Sequence, residues 1–165
     1  MTPAINRIVV PTDFSVTSDA AIEYAKALAE RFGASLHLIH VFEDPYMSVA
    51  FATDLYVQPL TETRDALRID AEARLRKQFH AIDGWGVDGT ADVIDGVPAQ
   101  AIVDYADRLG ADLIVMGTHG RSGFAHLMLG SVAERVLRTA PCPVLTVRAA
   151  VERAVRCELA DAAVA

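Results

Sequence analysis

The segment Leu113-Ile114-Val115-Met116 is continuously apolar and runs straight into glycine-rich chain, with Gly117, Gly120, Gly123 and Gly130 ahead of Ser131. A short apolar run without alternation suits a strand covered on both faces, which is the situation of a strand inside a parallel sheet. Parallel strands need helical crossovers, so this feature already asks for an α/β chain. The glycines add a second constraint. Without a Cβ, backbone can approach a ligand closely or adopt positive φ, and several amide N–H groups can then converge on one anion. Ser131 opens a helix at Gly130, and a helix start adds unpaired N–H groups and a partial positive charge, worth about 0.3–1 kcal/mol to an exposed anion. The segment is a candidate phosphate cradle.

The rest of the chain alternates in the same way. Arg7–Pro11 is an apolar run ending in Pro-Thr-Asp, which suits a buried strand and a turn. A helix follows from about Ser18, with Ala21, Tyr24, Ala25, Leu28, Ala29 and Phe32 on one face, Ser18 or Asp19 as its cap, and Gly33 at its end. Ala34–Phe42 is a second strand, and Glu43–Leu60 a long loop with Pro45 and Pro59. From about Thr61 to Ile82 the spacing of Leu67, Ala71, Leu75 and Phe79 predicts an amphipathic helix, broken by Gly84-Trp85-Gly86. Thr90–Ile94 is a third strand. Pro98 suits the first turn of the next helix, whose inner face is Ile102, Tyr105, Ala106 and Leu109 and whose end is Gly110. Ala111–Gly117 is the fourth strand, Ser131 to about Ala140 a helix, and Val144–Val147 the last strand. Five strands and four crossovers give an α/β fold, a single doubly wound parallel sheet with helices on both faces. Such sheets bind ligands at the carboxyl ends of their strands. The glycine loop and Thr12-Asp13 both follow such ends.

Two familiar phosphate loops are excluded by spacing. A Walker A loop ends in Gly-Lys-Ser/Thr, whereas Gly130 is followed directly by Ser131 and the nearest preceding lysine is Lys77. A dinucleotide fingerprint places Gly-x-Gly-x-x-Gly at the first strand–helix turn, and here that turn, Pro11-Thr12-Asp13-Phe14-Ser15, has no glycine.

At 165 residues, 52% of them apolar, the chain is long enough for one well-buried core. Its formal charge of −7 argues against a surface built to neutralise nucleic acid, so no nucleic-acid partner is expected. No apolar run approaches the roughly 20 residues that span a bilayer, and the N-terminus lacks a signal-peptide core, so the expected location is cytoplasmic, with no membrane partner. Cys142 and Cys157 lack Cys-x-x-Cys spacing, and Cys142 reads as a buried reduced thiol. His119 and His126 share the loop without the carboxylate or cysteine that would complete a metal site. His37 and His40 are three apart in a strand and point to opposite faces, core or surface being the default for each.

The combination Gly117-x2-Gly120-x9-Gly130-Ser131, with Ile8-Val9-Val10-Pro11-Thr12-Asp13 at the start and Pro141-Cys142-Pro143-Val144 after the last helix, resembles the universal stress protein family. The resemblance runs from about Ile5 to Arg148, giving a nucleotide-binding domain over 1–148 and a tail over 149–165, where Val151, Val155 and Leu159 suggest a short helix. It implies a sheet of order 3-2-1-4-5 and an ATP site between the first and fourth strands. On that mapping Asp13 faces the adenosine, Val41 meets adenine through its backbone, and Gly117 and Gly120 approach ribose and phosphates. Gly130, Ser131 and Val132 hold phosphate. With Pro11, Thr12, Met116, His119 and Arg121 these complete the candidate site set.

The glycine pattern assigns the chain to the ATP-binding branch of the family, with ATP as ligand, accompanied by Mg2+ or Mn2+. Phosphoryl transfer needs a charge clamp and a group orienting the nucleophile, and this loop offers hydroxyls and amides but no lysine. A nucleotide-dependent regulatory, stress-response protein that binds ATP without efficient turnover is the leading expectation. A slow ATP-hydrolysing enzyme and a nucleic-acid-binding module are the alternatives. Val144–Val147 forms an apolar sheet edge, which predicts a homodimer through that strand.

Overall fold

The computed structural model describes residues 4–43, 58–83, 86–118 and 129–148, with side chains over 62–80 of the second stretch. The elements run β1 (Arg7–Pro11), α1 (Val16–Phe32), β2 (Ser35–Phe42), α2 (Gln58–Asp83), β3 (Gly89–Asp95), α3 (Pro98–Leu109), β4 (Leu113–Gly117), α4 (Ser131–Thr139) and β5 (Val144–Val147). The sheet has five strands in the order β3-β2-β1-β4-β5, and every pairing is parallel. This is the expected α/β arrangement, with the first strand central, the chain winding one way to β3 and the other way to β5, and the reversal falling between β1 and β4.

Alternate side chains of the apolar strands feed two separate cores. Ile8 and Val10 of β1, Leu36 and Leu38 of β2 and Leu113 and Val115 of β4 pack with Ala21, Ala25 and Ala29 of α1 and Leu75 of α2. Val9, Ile39, Ile114 and Met116 face the other way, onto Ala99, Ile102 and Ala106 of α3 and Ala133 and Val136 of α4. Two buried faces explain why these strands show no polar alternation. Gly110 closes α3 in the left-handed region at φ 63°, as Gly33 does for α1 at φ 66°.

Some local expectations shift. Helix α1 starts at Val16, and its cap is Ser15 rather than Ser18 or Asp19. Its buried face is Ser18, Ala21, Ile22, Ala25, Lys26 and Ala29, so Tyr24 and Phe32, expected inside, are 57% and 52% exposed. Alanines at 21, 25 and 29 let α1 lie close on the sheet, which turns the larger apolar groups to its flanks. Helix α2 begins at Gln58, so the end of the predicted loop is helical; residues 44–57 lie outside the described part. Cys142 is half-buried rather than buried, and burial together with the Asp112 carboxylate pushes its thiol up. Cys157 and the tail 149–165 lie outside the described residues. No described helix is long and apolar enough to cross a membrane.

Candidate functional site

The carboxyl end of β1 is shaped by a tight local network. Phe14 takes a positive φ of 63°, a conformation that costs a non-glycine residue about 1–3 kcal/mol. Its backbone N–H donates to Thr12 Oγ1 at 3.1 Å, and the next N–H, of Ser15, donates to Asp13 Oδ1 at 3.1 Å. The Ser15 hydroxyl also donates to Asp13 Oδ1 while accepting from the Ser18 amide as the cap of α1. The Asp13 carboxylate is thus held in place by the turn it organises. Thr12 is 5% exposed, its Oγ1 lying 3.1 Å from Ser18 Oγ and 3.3 Å from Gln78 Oε1. Gln78 in turn donates to Asp19 at 2.7 Å, so α2 and α1 are tied together beneath this turn.

At the end of β4 the chain does something the glycine count alone does not reveal. Gly117 and Gly130 have no positive φ; the described glycines that do are Gly33, Gly86, Gly96 and Gly110. Gly117 is instead a close-approach residue, since a Cβ there would lie 3.0 Å from the carbonyl carbon and oxygen of Thr17 in α1. The loop that follows is pinched shut at its base: the Gly130 N–H donates to the Thr118 carbonyl at 2.8 Å, and the Thr118 N–H donates to Val147 of β5 at 2.9 Å. Gly130 then caps α4, its carbonyl accepting from Glu134 at 2.9 Å. The expectation that the Gly130 amide faces phosphate is corrected by this bond. The amides that the helix start leaves without an intrahelical partner are those of Ser131, Val132 and Ala133.

These two strand ends open onto one cavity of about 630 Å³, a volume suited to a small-molecule ligand. Of the predicted site residues, Pro11, Thr12, Asp13, Val41, Met116, Gly117, Gly130, Ser131 and Val132 all line it. His119, Gly120 and Arg121 lie outside the described residues. The ends of β1, β2 and β4 and the first turn of α4 all meet there. Among the described residues no cluster of three or more histidine, cysteine or acidic side chains is placed to hold a metal.

The cavity also has a wall that was not expected. Phe14, His40, Phe42, Glu43, Leu67, Asp70, Ala71 and Arg74 line it as well. His40 had been assigned to core or surface; its Nδ1 lies 2.8 Å from the Thr12 carbonyl, which can only accept, so that nitrogen carries the proton. The imidazole packs on the Phe14 ring, 4.4 Å between centroids at 34°. His37 turns to the opposite face, between Ser35 Oγ and Thr90 Oγ1, each at 3.1 Å. A signal for the α2 wall does exist in the sequence, since Leu67, Asp70, Ala71 and Arg74 recur at helical spacing; the same spacing also describes an ordinary core stripe.

The universal stress protein family model matches residues 4–148. This chain belongs to the universal stress protein family. A universal stress protein of Methanocaldococcus jannaschii is 36% identical over 143 residues, which cover 86% of this chain and 81% of that protein. The universal stress protein UspA of Lactobacillus plantarum superimposes with a TM-score of 0.77 at 28% identity, over 88% of this chain and 99% of its own. A universal stress protein solved in complex with cAMP superimposes with a TM-score of 0.63, also at 28% identity, over 88% of this chain and 98% of its own. The doubly wound sheet is the family's fold, and at least one relative of comparable identity holds an adenine nucleotide.

Proposed function

We propose that this universal stress protein is a nucleotide-dependent regulatory protein that binds ATP in the cavity between β1 and β4, without efficient turnover. The observation that carries the reading is the convergence of the β1 turn and the α4 N-terminus on a single cavity, which brings together Asp13, Gly117, Ser131 and Val132 from distant parts of the chain. The adenosine lies toward Asp13 and Val41, and the phosphates toward the Ser131 and Val132 amides and the Ser131 hydroxyl, where the helix dipole favours negative charge. The cAMP-bound relative supports an adenine nucleotide as the ligand class. The lining has no lysine among the described residues, so the lysine clamp of a Walker-type phosphoryl-transfer site has no counterpart there. Mg2+ or Mn2+ accompanies the phosphates, and the protein works in the cytoplasm as a homodimer joined at β5, the edge of the sheet.

Thermal denaturation with and without ATP tests the reading. ATP with Mg2+ raises the melting temperature of the full chain, and Gly130→Val, which places a branched side chain at the cavity lining, removes the shift. An unchanged melting temperature with ATP, with and without the divalent ion, would reject nucleotide binding. Sustained phosphate release that disappears in Gly130→Val would replace the binding protein with a hydrolase.

A further inference from the structure

One face of α2 looks into the cavity: Leu67, Asp70, Ala71 and Arg74 fall at i, i+3, i+4 and i+7. Leu67 leaves 45% of its surface exposed there, while Ala71, one turn further on, is 6% exposed. The guanidinium carbon of Arg74 sits 4.4 Å above the centroid of Phe14, whose ring packs in turn on His40. This stack joins the end of β2, the turn after β1 and α2 in one column. Arg74 makes no hydrogen bond among the described residues, and its ion pair with Asp70 is long, at 3.9 Å, so its five N–H donors are available to a ligand.

The strand order decides which end of a nucleotide this wall meets. The free amides of α4 follow β4, on one side of β1, whereas the stack stands over β1 and β2, on the other side. The carboxylates of the lining, Asp13, Glu43 and Asp70, lie in the turn after β1, just past the end of β2 and on α2, and they repel phosphate from that end. We propose that this face of α2 is the base-selecting wall of the nucleotide site, with Arg74 as its specificity-determining residue. Leu67 supplies apolar contact for a ring face. Arg74 supplies a planar cation that stacks on the base or donates to its ring nitrogens. Asp70 supplies an acceptor that suits the exocyclic amine of adenine and opposes the carbonyl oxygen that guanine carries in its place. The proposal rests on the nucleotide reading above and names what that site selects.

Titration calorimetry of the full-length wild type, Arg74→Met, Arg74→Lys and Asp70→Asn with ATP, GTP and adenosine tests it. Arg74→Met should weaken ATP and adenosine by the same factor, about tenfold, and Arg74→Lys should fail to restore either, because the planar group rather than the charge is lost. The isosteric Asp70→Asn should bring GTP closer to ATP, a result readable even if Arg74→Met does not fold. The proposal is overturned if Arg74→Met weakens ATP, spares adenosine and is rescued by Arg74→Lys, which is the behaviour of a phosphate contact. It is also overturned if neither Arg74→Met nor Asp70→Asn changes any affinity. A wild type that binds none of the three ligands removes the nucleotide reading itself; a wild type that binds ATP while the variants behave like it removes only the wall.

Discussion

Gly117 at the end of β4 lies directly beneath Thr17 in the first turn of α1, so close that a Cβ on Gly117 would stand 3.0 Å from the Thr17 carbonyl carbon and oxygen and 3.1 Å from its Cβ. The obstructing carbon and oxygen are backbone atoms and cannot rotate away. Gly117→Ala should therefore destabilise the fold by about 1–3 kcal/mol, the usual cost of forcing extra volume into a packed contact. Urea denaturation reads this directly; an unchanged midpoint would show that α1 can lift off the strand. The motif glycine thus has a packing role independent of any ligand, and Gly130→Val is the cleaner probe of binding.

Ser15 caps α1 while its hydroxyl holds the Asp13 carboxylate at the cavity edge. Ser15→Ala should cost about 1 kcal/mol through the lost cap. It should also weaken ATP binding, because Asp13 loses one of the bonds that fix it. Stability lost with unchanged ATP affinity would show that the two functions of Ser15 are separable.

Burial holds the His37 imidazole below its ordinary value of 6.5; Asp92 opposes that shift and Arg7 adds to it. The folded state therefore binds fewer protons at this site than the unfolded chain between the lowered value and 6.5. Its contribution to stability is intact above 6.5 and is progressively lost as pH falls through the folded value. His37→Gln should flatten the decline in denaturation midpoint between about pH 7.5 and about pH 5.5 relative to wild type. Parallel profiles for the two proteins would contradict the assignment.

Among the described strands β5 pairs only with β4, and no described strand lies on its other edge; Leu145 is 38% exposed. Charges on an edge strand discourage pairing. Sedimentation should show a dimer for the wild type and a monomer for Leu145→Lys. A monomeric wild type would rule out the β5 interface.

The fold was legible because its signals are local and repeated. Ile8–Val10 and Leu113–Met116 are apolar without alternation, Gly33 and Gly110 stop their helices, and Pro98 starts one. The β1 turn and the glycine loop could be matched for the same reason, each being a short run of chain following a strand. Other features were hidden because they depend on partners distant in sequence. Nothing near Gly117 announces Thr17, and nothing near Gly130 shows its amide engaged by Thr118. Ser15 is the cap because Phe14 turns the chain at positive φ, a conformation that phenylalanine gives no reason to expect. On α2, Leu67 and Leu75 carry the same apolar signal, yet one faces a cavity and the other the core; only the position of the helix over β1 and β2 separates them.

The central claim is that the cavity between β1 and β4 binds ATP, and titration calorimetry of the full chain with ATP in the presence of Mg2+ tests it most directly. Binding at this cavity gives a saturable isotherm with one ATP per chain, abolished in Gly130→Val while that variant keeps its fold by circular dichroism. No measurable heat in the wild type across a range of temperatures, or equal binding in the folded Gly130→Val variant, would contradict it.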